Sequence, residues 1–254
     1  MLRGTDEEVC PLRTPLRIAV AQPLSRSGDV AGNADRHADL VRRAQARVVV
    51  FPELSLTGYG PDAPVLDPET DGRLASLVAA CADSGALAVA GAPVAGPDGR
   101  IHIAMLAVDG AGARVAYRKM FLGGAEPQRY SPGDAPAVLS VDGWRLGLAI
   151  CKDTGVPRHA AETAALGIDG YVAGVLESAA DAHVTDERAA RVVAEHRVWV
   201  AVASFAGGTG GGFTEAAGRS GVWSRTGTPL ARAGTAVGEV VTATLTDHPP
   251  GHSR

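Results

Sequence analysis

Cysteine is scarce in this chain: Cys10, Cys81 and Cys151 are the only three in 254 residues, and they lie far apart. An odd number at such spacing excludes a disulfide framework and the paired-cysteine pattern of a zinc site. Positive charge is not clustered either, and the net charge of −4 argues against nucleic acid as a partner. No run approaches the roughly 18 apolar residues of a membrane span, so no membrane partner is expected. Met1–Cys10 carries acids where a secretory signal needs an apolar stretch, and the expectation is a cytoplasmic protein. Aromatic residues make up only 4% of the chain, which leaves core packing to Ala, Val and Leu. No Ser/Pro/Gly linker divides it. Residues 16–246 therefore read as one domain between poorly ordered tails, 1–15 and 247–254.

What is present alternates between two periods. Leu16–Gln22 and Arg47–Phe51 read as strands around a helix, Ala31–Ala46, with Asn33 as its expected cap. Thr70–Ser84 has Leu74, Leu77, Val78 and Cys81 on one helical stripe, which makes Cys81 a core residue. Ala86–Ala92, Ile101–Val108 and Ala113–Tyr117 follow as strands joined by turns at Pro97-Asp98-Gly99 and Asp109-Gly110. Two more strands flank Asp142-Gly143. After them come a helix over His159–Leu166, a strand over Ile168–Val175, a helix over Asp186–His196 and a strand over Val198–Phe205. Gly218–Ser224, Pro229–Ala233 and Glu239–Leu245 close the chain as a group of hairpin strands. Alternating units followed by hairpins imply an α/β (α+β) layered fold, and no internal repeat is evident.

Cys151 closes the apolar run Trp144–Ile150 and is followed at once by Lys152-Asp153-Thr154-Gly155. A thiol at a strand-to-loop corner is held firmly while its sulfur faces an open site. Alone it would be a small buried hydrophobe, as Glu53 alone would be a solvated acid and Lys119 a surface lysine. Phe51-Pro52 and Leu54 nevertheless give Glu53 an apolar setting, where a stray carboxylate is costly. The seven histidines form no motif, though His159 and His183 could approach the site. Gly207–Gly212 lacks the glycine order and lysine of a phosphate loop and reads as a mobile loop near the pocket.

Pro52-Glu53-Leu54, Tyr117-Arg118-Lys119 and Cys151-Lys152-Asp153, in that order, resemble the three signatures of the nitrilase superfamily of carbon–nitrogen hydrolases. Glu126-Pro127-Gln128-Arg129-Tyr130-Ser131-Pro132-Gly133-Asp134 resembles a fourth. The resemblance runs from about Leu16 to Leu245. It implies a four-layer α-β-β-α sandwich with no cofactor and no metal, usually a homodimer or higher assembly. It also implies a small-molecule substrate whose non-peptide C–N bond, in a carboxamide, ureido or carbamoyl group, is cleaved through a cysteine thioester. Cys151 would be the nucleophile, Glu53 the general base and acid, Lys119 the oxyanion stabiliser and Glu126 the residue that orients the lysine or the substrate. Tyr59, Lys152, Asp153 and Thr154 are the expected substrate contacts, with Asp153 also fixing the local turn. Acyl transfer to an amine, nitrile hydrolysis or a silent binding module are the alternatives. The absence of the carboxy-terminal extension seen in many nitrilases favours amides over nitriles. Departures from the family pattern bear on the pocket: Phe121 two residues after the lysine, Val156-Pro157-Arg158 after the cysteine turn, and Ser204-Phe205 at the end of a strand.

Overall fold

Two six-stranded sheets lie face to face, each covered on its outer side by helices. The computed structural model describes residues 13–60 and 62–247. The strands are β1 Leu16–Ala21, β2 Val48–Val50, β3 Leu87–Ala95, β4 Ile101–Asp109, β5 Gly112–Arg118, β6 Val138–Val141, β7 Trp144–Ile150, β8 Gly170–Val175, β9 Trp199–Ser204, β10 Ala206–Gly207, β11 Ala216–Ala217, β12 Gly221–Trp223, β13 Pro229–Arg232 and β14 Val240–Leu245. The helices are α1 Val30–Ala44, α2 Ala75–Ser84, α3 Pro157–Ala164 and α4 Val184–His196.

Period-two side-chain alternation builds the layers. In β1, Leu16, Ile18 and Val20 point between the sheets, whereas Ala19 and Ala21 point outward beneath α1 and α2. On the opposing sheet Trp144, Leu146, Leu148 and Ile150 of β7 meet that inner face, and Ala149 joins the outer layer of α3 and α4. Small residues on the outer faces let helices approach closely, and the bulky ones fill the space between the sheets. The expected four-layer α-β-β-α sandwich is what the chain forms. Cys81, fully buried in the helix-facing core, is the packing residue its stripe implied, and burial pushes its thiol up to about 11.

Each sheet repeats one plan, which no sequence similarity between the halves revealed. A parallel trio (β1, β2, β3 in one sheet; β7, β8, β9 in the other) has an antiparallel neighbour beside its first strand and two beyond its last. The closing strands are therefore not simple hairpins. β12 and β13 extend the second sheet, but β14 crosses to the first and pairs antiparallel with β1, where Ala243 and Leu245 enter the inter-sheet core.

Two local expectations change. The cap of α1 is Asp29, whose carboxylate accepts from Gly32 N, and Asn33 lies buried inside the helix, tying Arg26 and Leu56 carbonyls through its amide. Of the expected tails, residues 1–12, Cys10 among them, and 248–254 lie outside the described residues. Arg13 and Asp247 are held instead: the Arg13 guanidinium bridges Asp169 and Asp247 and lies over the Trp144 ring.

Candidate active site

The carboxyl ends of the parallel strands and of β5 converge on one corner. Beyond β2 the chain turns sharply through Phe51-Pro52-Glu53-Leu54, with Leu54 at a left-handed φ of 54°. Two glycines make room for it, one from each sheet. A side chain at Gly91 would lie 2.2 Å from Leu54 N, and one at Gly174 would lie 2.6 Å from Phe51 O. Glu53 is thereby wedged between the sheets, only 1% exposed.

Lys119, one residue past β5, reaches the same place from the side. Its Nζ lies 2.6 Å from Glu53 Oε1 and 2.7 Å from Glu126 Oε1. Glu126 is steadied by Gly123 N, which donates to Oε2 at 2.8 Å, and the Tyr59 hydroxyl donates to Glu53 Oε2. Burial, opposed by the Lys119 charge and assisted by that of Glu126, pushes the Glu53 carboxyl up to about 7. Burial works against the Lys119 charge, but the Glu53 carboxylate first, with that of Glu126, outweighs it and raises the ammonium above its ordinary value.

Cys151 sits at the exit of β7, at the start of a 3-10 turn over Cys151–Gly155, with a φ of 41° that side chains other than glycine seldom adopt. Asp153 fixes that corner. Its Oδ2 accepts from Ile150 N at 2.9 Å and from the Tyr117 hydroxyl at 2.7 Å, and its Oδ1 accepts from Phe121 N at 2.9 Å. Tyr117 has one proton, spent on Asp153, so His159 Nε2 must donate to the Tyr117 oxygen across their 2.8 Å contact. His159 Nδ1 is then an acceptor for the Tyr171 hydroxyl, also at 2.8 Å. Burial keeps the His159 pKa below its ordinary value, in keeping with a neutral ring. The Cys151 sulfur lies 3.6 Å from Leu176 O, and burial, with the Glu53 charge second, holds the thiol above its usual range.

Cys151, Lys119 and Glu126 all line a cavity of about 870 Å³, with Glu53 just behind them. Tyr59 and Lys152 line it too. Asp153 and Thr154 do not: the first is fully buried under the turn, and the Thr154 hydroxyl donates to Cys151 O at 2.6 Å. These two support the corner and do not line the cavity, where the expectation had them among the substrate contacts. His159 approaches the site only from beneath, and His183 stands at the start of α4 outside the cavity lining.

Sequence reasoning passed over Glu177, Arg188, Arg129, Tyr130 and Phe213, which complete the wall. Glu177 stands two residues past the end of β8, an acid closing an apolar run, and that was the available signal. Phe213 stands just beyond the glycine-rich loop, its ring 5.4 Å from that of Tyr59, so the loop does border the pocket. Among the departures, Phe205 is buried edge-on to Tyr59, Phe121 packs beside His159, and Arg158 is exposed and paired with Glu162. Among the described residues no group of His, Cys, Asp and Glu is arranged to hold a metal ion.

This four-layer sandwich is shared with an amidase from the nitrilase superfamily. Within it the chain belongs to the carbon–nitrogen hydrolase family, whose profile matches residues 17–248. An amidase of that superfamily from Nesterenkonia AN1 superposes with a TM-score of 0.80 at 27% identity, covering 94% of each chain. A "Hydrolase in pqqF 5'region" of Pseudomonas protegens is 32% identical over 200 residues, 76% of this chain and 70% of that protein. An (R)-stereoselective amidase of a Pseudomonas species is 29% identical over 159 residues, 61% of this chain and 58% of its own length. The chain thus spans little more than half of that amidase.

Proposed function

We propose that this protein hydrolyses the C–N bond of a small carboxamide, with Cys151 as nucleophile, Glu53 as general base and acid, and Lys119 as the charge facing the oxyanion. One observation carries the reading: Lys119 Nζ is pinned between two carboxylates on the wall of the cavity that Cys151 also lines. An ammonium so placed cannot turn away, and it costs no reorganisation when negative charge develops nearby.

The chemistry follows from the protonation states. A protonated thiol is a poor nucleophile, so it must lose its proton as it attacks. Glu53, with its pKa raised to about 7, is basic enough to take that proton and acidic enough to surrender it. As the sulfur–carbon bond forms, the carbonyl electrons move onto oxygen opposite Lys119, with the backbone N–H of Lys152 as a second donor. Collapse of this adduct breaks the C–N bond, Glu53 protonates the departing nitrogen, and a thioester remains on Cys151. Water then gives its proton to Glu53 and attacks the thioester, and expulsion of the thiolate, which recovers the proton, yields the acid. Glu126 holds Lys119 in line throughout.

Support for a nucleophilic cysteine comes from the Nesterenkonia amidase, one variant of which shows addition of the acetamide moiety of fluoroacetamide at its active-site cysteine. Incubation with fluoroacetamide should likewise increase the intact mass of this protein by one acetamide moiety, mapped to Cys151. Cys151→Ala should take up no adduct and release no ammonia from any amide in a panel of short carboxamides. Full turnover by that variant would end the reading.

A further inference from the structure

The cavity wall carries more positive than negative charge, and its cations differ in how they are employed. Lys119 is committed to Glu53 and Glu126. Arg188 is paired with Glu177 at 2.7 Å and also donates to the Thr154 hydroxyl. Arg129 donates to the carbonyls of Gly60 and Ala63 and lies over the Tyr130 ring. Lys152 alone, exposed at the mouth, makes no hydrogen bond or ion pair among the described residues.

Its position is nevertheless fixed on two sides. The backbone of Lys152 follows directly on the nucleophile in the 3-10 turn, so its root cannot drift from the reacting carbon. Its stem runs along Gly123, where an added Cβ would lie 3.7 Å from Lys152 Cδ. The wall that Lys152 and Cys151 line together also offers the apolar surfaces of Tyr59, Leu176 and Phe213. A ligand that fits has an amide at one end, a carbon chain in the middle and a negative charge at the other. A cationic tail would instead meet Lys152 head on, while the carboxylates of the wall, Glu126 and Glu177, are already taken by Lys119 and Arg188.

We infer that the substrate is an amide bearing an anionic group, carboxylate or phosphate, a short carbon chain from the carbonyl, and that Lys152 receives that group at the cavity mouth. This rests on the hydrolase reading above and narrows it to a substrate class. Lysine suits the task as a mobile point charge on a four-carbon stem, able to meet either anion.

The test compares three amides of equal chain length: the monoamide of glutaric acid, its neutral methyl ester, and 4-phosphonobutanamide. At least one anionic amide should exceed the ester in kcat/KM by about tenfold, the worth of one charge-assisted contact at a partly exposed site. Whichever anion wins identifies the natural head group. In Lys152→Met, which keeps the stem and removes the charge, that ratio should fall to about one, and Lys152→Arg should restore most of it. A ratio near one in the unaltered protein, or one that Lys152→Met leaves unchanged, would overturn the inference while leaving the hydrolase standing. Should no amide be turned over at all, the hydrolase reading falls separately. Calorimetric binding of glutarate and of 4-phosphonobutyrate to Cys151→Ala then decides: loss of binding on adding Lys152→Met supports the anion site, and binding indifferent to Lys152, or none, refutes it.

Discussion

Two buried polar clusters lie within the same corner, and they are built oppositely. Glu53, Lys119 and Glu126 form an ion cluster that opens onto the cavity; Asp153, Tyr117, His159 and Tyr171 form a chain of hydrogen bonds that is closed to it. The first leaves its central ammonium one face toward the cavity, and its acid is raised to about 7, in reach of a proton transfer. In the second every proton has one acceptor, and the chain ends on the carboxylate that ties β7 to the segment after β5. One cluster is arranged to change protonation state, the other to prevent movement. Burial alone therefore does not mark a catalytic group; an open face beside a group of displaced pKa does.

The sharpest way to break the comparison is to neutralise each cluster in turn. Glu53→Gln keeps the shape and an acceptor for Tyr59, and Lys119 retains Glu126. Turnover should fall by about 10³-fold, the scale of lost general acid–base catalysis, while the melting temperature moves by only a few degrees. The pH dependence of stability should change as well. In the folded protein Glu53 holds its proton up to about pH 7, against 4.5 for its ordinary value, so stability falls as pH rises through that window. The slope, worth about 3 kcal/mol in all, should vanish in Glu53→Gln urea titrations. A variant with intact turnover would show that the raised acid is structural.

Asp153→Ala should reverse the pattern. It strands Ile150 N, Phe121 N and the Tyr117 hydroxyl, all in or beside the buried corner, and should lower folding stability by about 3–5 kcal/mol in chemical denaturation. Within this cluster Asp153, raised by burial, shares the pH sign of Glu53, and His159 has the opposite one. Because burial holds the His159 pKa below the ordinary 6.5, the stability supplied by its neutral ring is complete above that pH and is lost as pH falls through the window beneath it. A stability loss of less than about 1 kcal/mol would mean that water replaces these bonds and that the closed cluster is not what holds the corner.

How far each cluster was legible in the sequence differs for the same physical reason. Glu53, Lys119 and Cys151 each stand just past the end of a strand-like run, and a polar residue at such a point is conspicuous against apolar neighbours. The closed cluster is not conspicuous: Tyr117 and Tyr171 sit inside strands, and His159 sits on α3 with its partners 12 and 42 residues away. Nothing local says that these side chains meet, because the meeting is made by packing of α3 on the second sheet and of that sheet against the first, which carries Tyr117. Asp153 was read both as fixing the turn and as contacting substrate, and only its depth separates the two. Glu177 was visible as an acid past an apolar run but meaningless without Arg188, which arrives on α4. The crossing of β14 has the same origin. Its alternation shows a strand, but its partner is chosen by which sheet edge its Ala243 and Leu245 can reach the core from.

The finest test leaves both clusters folded and moves a single charge. Ionised Glu53 must be present to take the thiol proton, so kcat/KM should be low in acid and rise as pH climbs through about 7. The Glu126 charge is one of the influences that raise Glu53. Removing it in Glu126→Gln should therefore shift the midpoint of the profile toward lower pH. The plateau should also drop, by about tenfold, because Lys119 loses one of the two anchors that aim it. Tyr171→Phe supplies the contrast, since it deletes one hydroxyl of the closed cluster and no charge near Glu53, and its midpoint should stay where the unaltered protein has it. If Glu126→Gln also leaves the midpoint in place, the rising limb belongs to some group other than Glu53, and the division of labour between the two clusters would have to be redrawn.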